Sequence, residues 1–188
     1  FKDKFSYNFK TAVSTGEGRN VTGNADAGLA FTGKVELLPL GSFSKNGAYF
    51  EGDLVREKTP KLMLSGAFQQ NNHARRTQGQ LGSDLFEQRT LKSVVLDVIM
   101  KYNGWAAMSS FMSRNATENA VTVNPNNSLE SNYVYVGSGF DHQLSYNFPS
   151  NYEVVGRYST QKVGDDIKAL APNTKQYTIG LTKYIWEH

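Results

Sequence analysis

Three histidines, His73, His142 and His188, are the residues of this chain best suited to move a proton at neutral pH. A hydrolytic site would need one of them beside a serine, with a third group orienting the ring. His142 has Ser138 and Ser145 close by in sequence, yet nothing in the spacing settles which of them shares its face. Three scattered histidines form no metal-ligand cluster, and the chain has no cysteine, which removes thiolate zinc sites and disulfides. Gly16-Glu17-Gly18 and Gly164-Asp165-Asp166 read as turns, because no helix follows to hold a phosphate at its N-terminus. No catalytic residue, metal site or cofactor is therefore expected. The chemistry left to explain is charge: Lys4, Lys10, Lys34, Lys101 and Arg157 against Glu36, Asp97 and Glu153, all on the polar side of alternating segments.

Those segments have a period of two, the signature of a strand with one apolar and one polar face. Phe5, Tyr7 and Phe9 alternate with Ser6, Asn8 and Lys10. Leu29, Phe31, Gly33, Val35 and Leu37 alternate with Thr32, Lys34 and Glu36. The same pattern recurs around Leu62–Leu64–Phe68, Val94–Val98–Met100, Tyr152–Val154–Tyr158 and Tyr177–Ile179–Leu181. Asn103-Gly104 is suited to a two-residue hairpin turn, since both residues tolerate positive φ. Eight strands are expected, at 4–14, 27–38, 61–71, 91–102, 105–114, 132–146, 151–162 and 175–186. Segment 49–56 is not counted, because Glu51, Asp53 and Arg56 place charge on both faces. Long polar connections at 15–26, 72–90, 115–131 and 163–174 alternate with 39–60 and the tight turns at 103–104 and 147–150, giving an antiparallel up-and-down order.

With Tyr at 10, Phe at 11, Gly at 17 and a mean hydropathy of -0.49, the composition excludes a helical membrane protein. Barrel strands meet lipid only at alternate residues, so low mean hydropathy is compatible with a membrane barrel. A net charge of +3 is too mild for nucleic-acid binding. A soluble sandwich alternates too, but three features favour the barrel. Aromatics gather at strand ends (Tyr102, Trp105, Tyr146, Tyr152, Tyr184 and Trp186), as in interfacial girdles. Lys34, Asp97 and Arg157 lie mid-strand, where a small dry core could not hydrate them. The connections are also long for a compact sandwich.

Thr32-Gly33-Lys34-Val35-Glu36-Leu37-Leu38-Pro39-Leu40-Gly41 is followed by YFEGDLVREKTP over 49–60, then by Lys61-Leu62-Met63-Leu64-Ser65-Gly66-Ala67-Phe68 and Gln70-Asn71-Asn72. Tyr152-Glu153-Val154-Val155-Gly156-Arg157-Tyr158-Ser159 and Tyr177-Thr178-Ile179-Gly180-Leu181-Thr182-Lys183-Tyr184 complete the set. Together these stretches resemble, in order along most of the chain, the phosphate-selective porin O/P family, in particular its relatives in Bacteroidetes. The resemblance implies a transmembrane barrel of about sixteen strands, usually trimeric, passing phosphate-like anions across the bacterial outer membrane. Eight expected strands, opening at Phe1 and ending at Glu187-His188, then read as one segment, the C-terminal half of a longer porin.

In such a barrel the lining charges select the solute. The five basic residues named above would line the pore against the three acids, a slight anion preference. The plainer alternative is that these charges pair and hold the strands in register. Loop 72–90, with Arg75, Arg76 and Arg89, would fold inward as a constriction or stay outside against lipopolysaccharide phosphates. Arg114, at a strand end, fits snorkelling towards headgroups as well as conduction. Expected partners are outer-membrane lipid and lipopolysaccharide, small anions, and further copies in a homotrimer or larger membrane complex, with no nucleic acid. A barrel acting as scaffold in a larger outer-membrane assembly, or a soluble all-β binding protein, are the competing functions.

Overall fold

The computed structural model describes residues 5–16 and 28–185. Within them, eight antiparallel strands form one open sheet: β1 (Ser6–Ser14), β2 (Ala30–Leu38), β3 (Lys61–Arg76), β4 (Asp84–Tyr102), β5 (Trp105–Ala116), then, after the separate hairpin of β6 (Val121–Asn124) and β7 (Asn127–Tyr133), β8 (Gly137–Asn147), β9 (Tyr152–Val163) and β10 (Thr174–Lys183). Sheet order follows chain order, β1-β2-β3-β4-β5-β8-β9-β10, so the up-and-down reading holds. The sheet does not close on itself: β1 and β10 are its two edges.

Each strand alternates as its sequence does. On β4, Val94, Leu96, Val98, Met100 and Tyr102 are exposed, while Ser93, Ile99 and Lys101 are buried. The bare face of the sheet is therefore apolar, and the covered face carries the polar residues. Two clusters flank the polar band on the covered face. At the end of the tight turns, Leu38, Phe43, Met63 and Ile99 pack together beneath segment 39–60. At the end of the long loops, Ala74, Leu91, Ala120, Val134, Val136, Ile167 and Ala171 form a second cluster.

Several element boundaries differ from the sequence expectation. β3 and β4 extend well into 72–90, leaving only a short tip between Arg76 and Asp84. The extension carries an irregularity at His73, whose positive φ of 54° marks the register shift between Asn71 and Ala74. Loop 115–131 holds the β6–β7 hairpin. The expected strand at 132–146 is broken: Val134 and Val136 leave the ladder to fill the loop-end cluster, with backbone bonds to Ala120 and Gly164. Gly137 restarts the strand at φ 136°, and a side chain there would collide with the carbonyl of Lys162. Segment 49–56 forms no strand, in keeping with its charges on both faces.

Candidate functional site on the covered face

The covered face is polar in three tiers. The first, at the turn end, is built by segment 39–60, which runs as a plate across the sheet. Lys101 projects from β4 into it, nearly fully buried, and donates to the carbonyls of Gly47 (2.7 Å), Gly52 (2.7 Å) and Phe50. Asp53, fully buried, accepts from the backbone N–H of Glu57 and of Gly104 (2.8 Å). Glu57 accepts from the backbone and hydroxyl of Ser44, and Arg56 donates to the carbonyls of Asn103 and Asn147. Glu153, also buried, accepts from the hydroxyl of Tyr184 and lies against Gly52. A side chain at 52 would strike that carboxylate. Buried charges hydrogen-bonded in this way hold the plate in one position.

The second tier is mid-strand. Glu36 receives Lys10 and Lys34, each at 2.9 Å, and the amide of Asn8. Asp97 accepts from Ser65 (2.9 Å) and Ser110 (2.8 Å), and Arg157 pairs with Asp141 at 2.7 Å. These contacts follow from register. Lys10 is the direct partner of Lys34 across β1–β2, and one acid two residues along serves both. Asp97 sits between Ser65 of β3 and Ser110 of β5. A cavity of about 440 Å³ lies between this tier and the plate.

The third tier is at the loop end. The β3–β4 tip turns over the covered face, where Thr77 accepts from the backbone N–H of Tyr135 at 2.9 Å. Arg114 of β5 anchors the tip, donating to the carbonyl of Gln78 (3.3 Å) and the hydroxyl of Ser93 (3.2 Å). Two cavities of about 770 and 570 Å³ meet there, and both are lined by Arg114, Tyr135 and Gln161. Tyr135 packs edge-on against Tyr133, ring centres 5.2 Å apart, and its hydrogen bonding raises the Tyr133 hydroxyl above its ordinary value. Nearby, hydrogen bonding with Thr117 holds the Glu118 carboxyl below the usual range.

Of the basic residues expected to line one ladder, Lys10, Lys34 and Arg157 sit together with acids, Lys101 is sealed under the plate, and Lys4 lies outside the described residues. Among the acids, Glu36 and Asp97 face the polar band, whereas Glu153 belongs to the plate. The three arginines of the expected constriction loop lie on the strand extensions that border the β3–β4 tip. Arg76 pairs with Asp84 at 3.5 Å, and Arg89 is buried against Asn119, Val121 and Glu87, where it holds the β6–β7 hairpin. Arg75 is half-buried on the β3 extension.

His142 is hydrogen-bonded to Ser109 on the bare face (2.7 Å), while Ser145 is buried on the opposite one. Among the described residues no third group orients that ring, and no cluster of metal-ligating residues occurs. His188 lies outside the described residues. The residues that sequence reasoning missed are Asp53, Arg56 and Glu57, which anchor the plate, and Gln78, Tyr135 and Gln161 at the third tier. The unusual charge density of 49–58 was the one available signal for the plate. Comparison with known proteins adds no neighbour: no family model, curated protein or solved structure matches the chain.

Proposed function

We propose that the chain is part of the wall of an outer-membrane β-barrel pore that passes small hydrophilic, preferentially anionic solutes. The observation that carries this reading is the bare face: an apolar band, interrupted at Ser109 and His142, crosses all eight strands, from Phe9 and Val13 on β1 to Ile179 and Leu181 on β10, with the charged residues of the strands' polar band on the other side. Large contiguous apolar surface on a sheet is unfavourable in water and favourable in lipid.

The slope of the band strengthens the argument. Tyr7, Leu37, Leu64, Val98, Ser109, His142, Tyr158 and Tyr177 form one row of register partners from edge to edge. On β1 the band reaches Val13, six residues beyond this row towards the loops; on β4 it reaches Val94, four beyond; on β10 it stops at Tyr177, in the row itself. A drift of about six residues over seven strand-to-strand steps, at about 3.3 Å per residue and about 4.8 Å per step, is a slope of about 30°. A level membrane crossing strands tilted by roughly 35–45° produces such a drift. At the turn end Trp105, Tyr146 and Phe148 stack in series, with ring centres 4.8 and 4.7 Å apart, in the manner of an interfacial girdle.

The anion preference rests on smaller numbers. Two lysines share one carboxylate at Glu36, and Arg114 has no paired carboxylate among the described residues, while Asp97 opposes them. Phosphate-like anions fit this surplus only weakly, since Arg157 is matched by Asp141. The test is planar-bilayer conductance of the full-length protein: stepwise currents with reversal potentials biased towards anions are expected. Heat-modifiable folding without any conductance would contradict the pore and favour a scaffold barrel; monodisperse behaviour without detergent would contradict the membrane reading altogether.

A further inference from the structure

The third tier brings an unmatched cation and three solvent-facing amides together where two cavities meet. Arg114 reaches into the meeting point of the two loop-end cavities with its charge unmatched by any carboxylate among the described residues. Around it, the side-chain amides of Gln78, Gln80 and Gln161 make no hydrogen bond within the described protein, and the Tyr135 ring forms a shared wall. The cavity volumes fall in the range of about 300–1,000 Å³ usual for small-molecule sites.

Each group has a natural complement. A guanidinium fork matches a carboxylate in two parallel hydrogen bonds. Free amides supply both donors and acceptors, the pairing that sugar hydroxyls satisfy. An aromatic ring offers a flat apolar surface to the C–H face of a pyranose. Lys162 and Lys175 also border the larger cavity, but as register partners of Ser138 and Thr160 they share the bare-face parity of Phe140. A site for inorganic phosphate would gather several cations on one face; on the covered face Arg114 stands beside three amides. We propose that this tier is a binding site for small sugar acids, with the carboxylate on Arg114 and the hydroxyls on Gln161, Gln78 and Gln80. The inference rests on the pore reading in one respect: it gives the solute class that the covered face would admit.

The test is isothermal titration calorimetry of the full-length protein in detergent with D-galacturonate, D-galactose and inorganic phosphate, run beside bilayer conductance. Galacturonate is expected to bind more tightly than galactose or phosphate. Arg114→Gln is expected to weaken galacturonate at least tenfold, and Gln161→Ala about threefold, with heat-modifiable migration unchanged in both. Arg114→Lys, which keeps the charge and loses the fork, is expected to retain phosphate binding while weakening galacturonate. Equal binding of phosphate and galacturonate would overturn the proposal in favour of a plain anion site. Galacturonate binding unaffected by Arg114→Gln, or no binding of any probe, would also overturn it. Should Arg114→Gln fail to fold, Gln161→Ala and the galactose comparison decide. Binding without conductance would contradict the pore while leaving the site standing.

Discussion

Lys101 shows how a single residue changes meaning once its surroundings are known. Its place on β4 gives it the parity of a lining cation, but three backbone carbonyls of segment 39–60 close around its ammonium. The buried carboxylates Asp53, Glu57 and Glu153 share the same cluster. Lys101→Met keeps most of the side-chain volume and strands those acceptors, so a loss of about 3 kcal/mol is expected in urea unfolding from detergent. A lining cation free in water would cost well under about 1 kcal/mol on removal. Parity along each strand was legible in the sequence, and so was the covered face that Lys10, Lys34, Lys101, Arg157, Glu36, Asp97 and Glu153 share. Pairing was not, because it depends on which residues of neighbouring strands meet. That Glu36 serves both Lys10 and Lys34 follows from the β1–β2 register, which hydrophobic alternation alone leaves undetermined by steps of two.

Turns and breaks decide matters among the elements. Asn103 and Gly104 take φ of 48° and 91°, as a two-residue hairpin requires, and the N–H of Gly104 donates to Asp53 alongside that of Glu57. A methyl group at 104 would run into the Asn147 carbonyl and the Arg56 guanidinium. Gly104→Ala is therefore expected to destabilise by about 1–3 kcal/mol, measured by the midpoint of heat-modifiable migration on gels. This turn could be read directly from its dipeptide. The strand break at 134–136 could not: Tyr133, Val134, Tyr135 and Val136 have strong strand propensity, and only tertiary burial of the two valines draws them from the ladder. The plate was half legible, since its charges argued correctly against a strand without revealing that they would be buried.

Across the whole molecule, the proposed pore puts the two faces of the sheet in different solvents. The apolar stretch on β4 from Val94 to Tyr102 measures about 27 Å along the strand, or about 22 Å tall at the tilt of a membrane barrel, near the ~25 Å band expected there. Val98 lies at its centre, so Val98→Arg is expected to cost about 2–4 kcal/mol in lipid. Met112→Arg, on the covered face, is expected to change stability by less than about 0.5 kcal/mol. Equal effects in the same unfolding assay would count against two solvents. Ser109 and His142 are the exception within the band, and their mutual hydrogen bond lessens the cost of polar groups in that position. The chain has no cysteine, which makes the decisive measurement clean. Spin labels placed singly at 94 to 98 of β4 and 110 to 112 of β5, in protein reconstituted into bilayers, report collision with oxygen and with a water-soluble nickel chelate. The account predicts oxygen-dominated collisions at Val94, Leu96, Val98 and Phe111, and nickel-dominated collisions at Val95, Asp97, Ser110 and Met112. Nickel access at both sets, with no alternation, would contradict it.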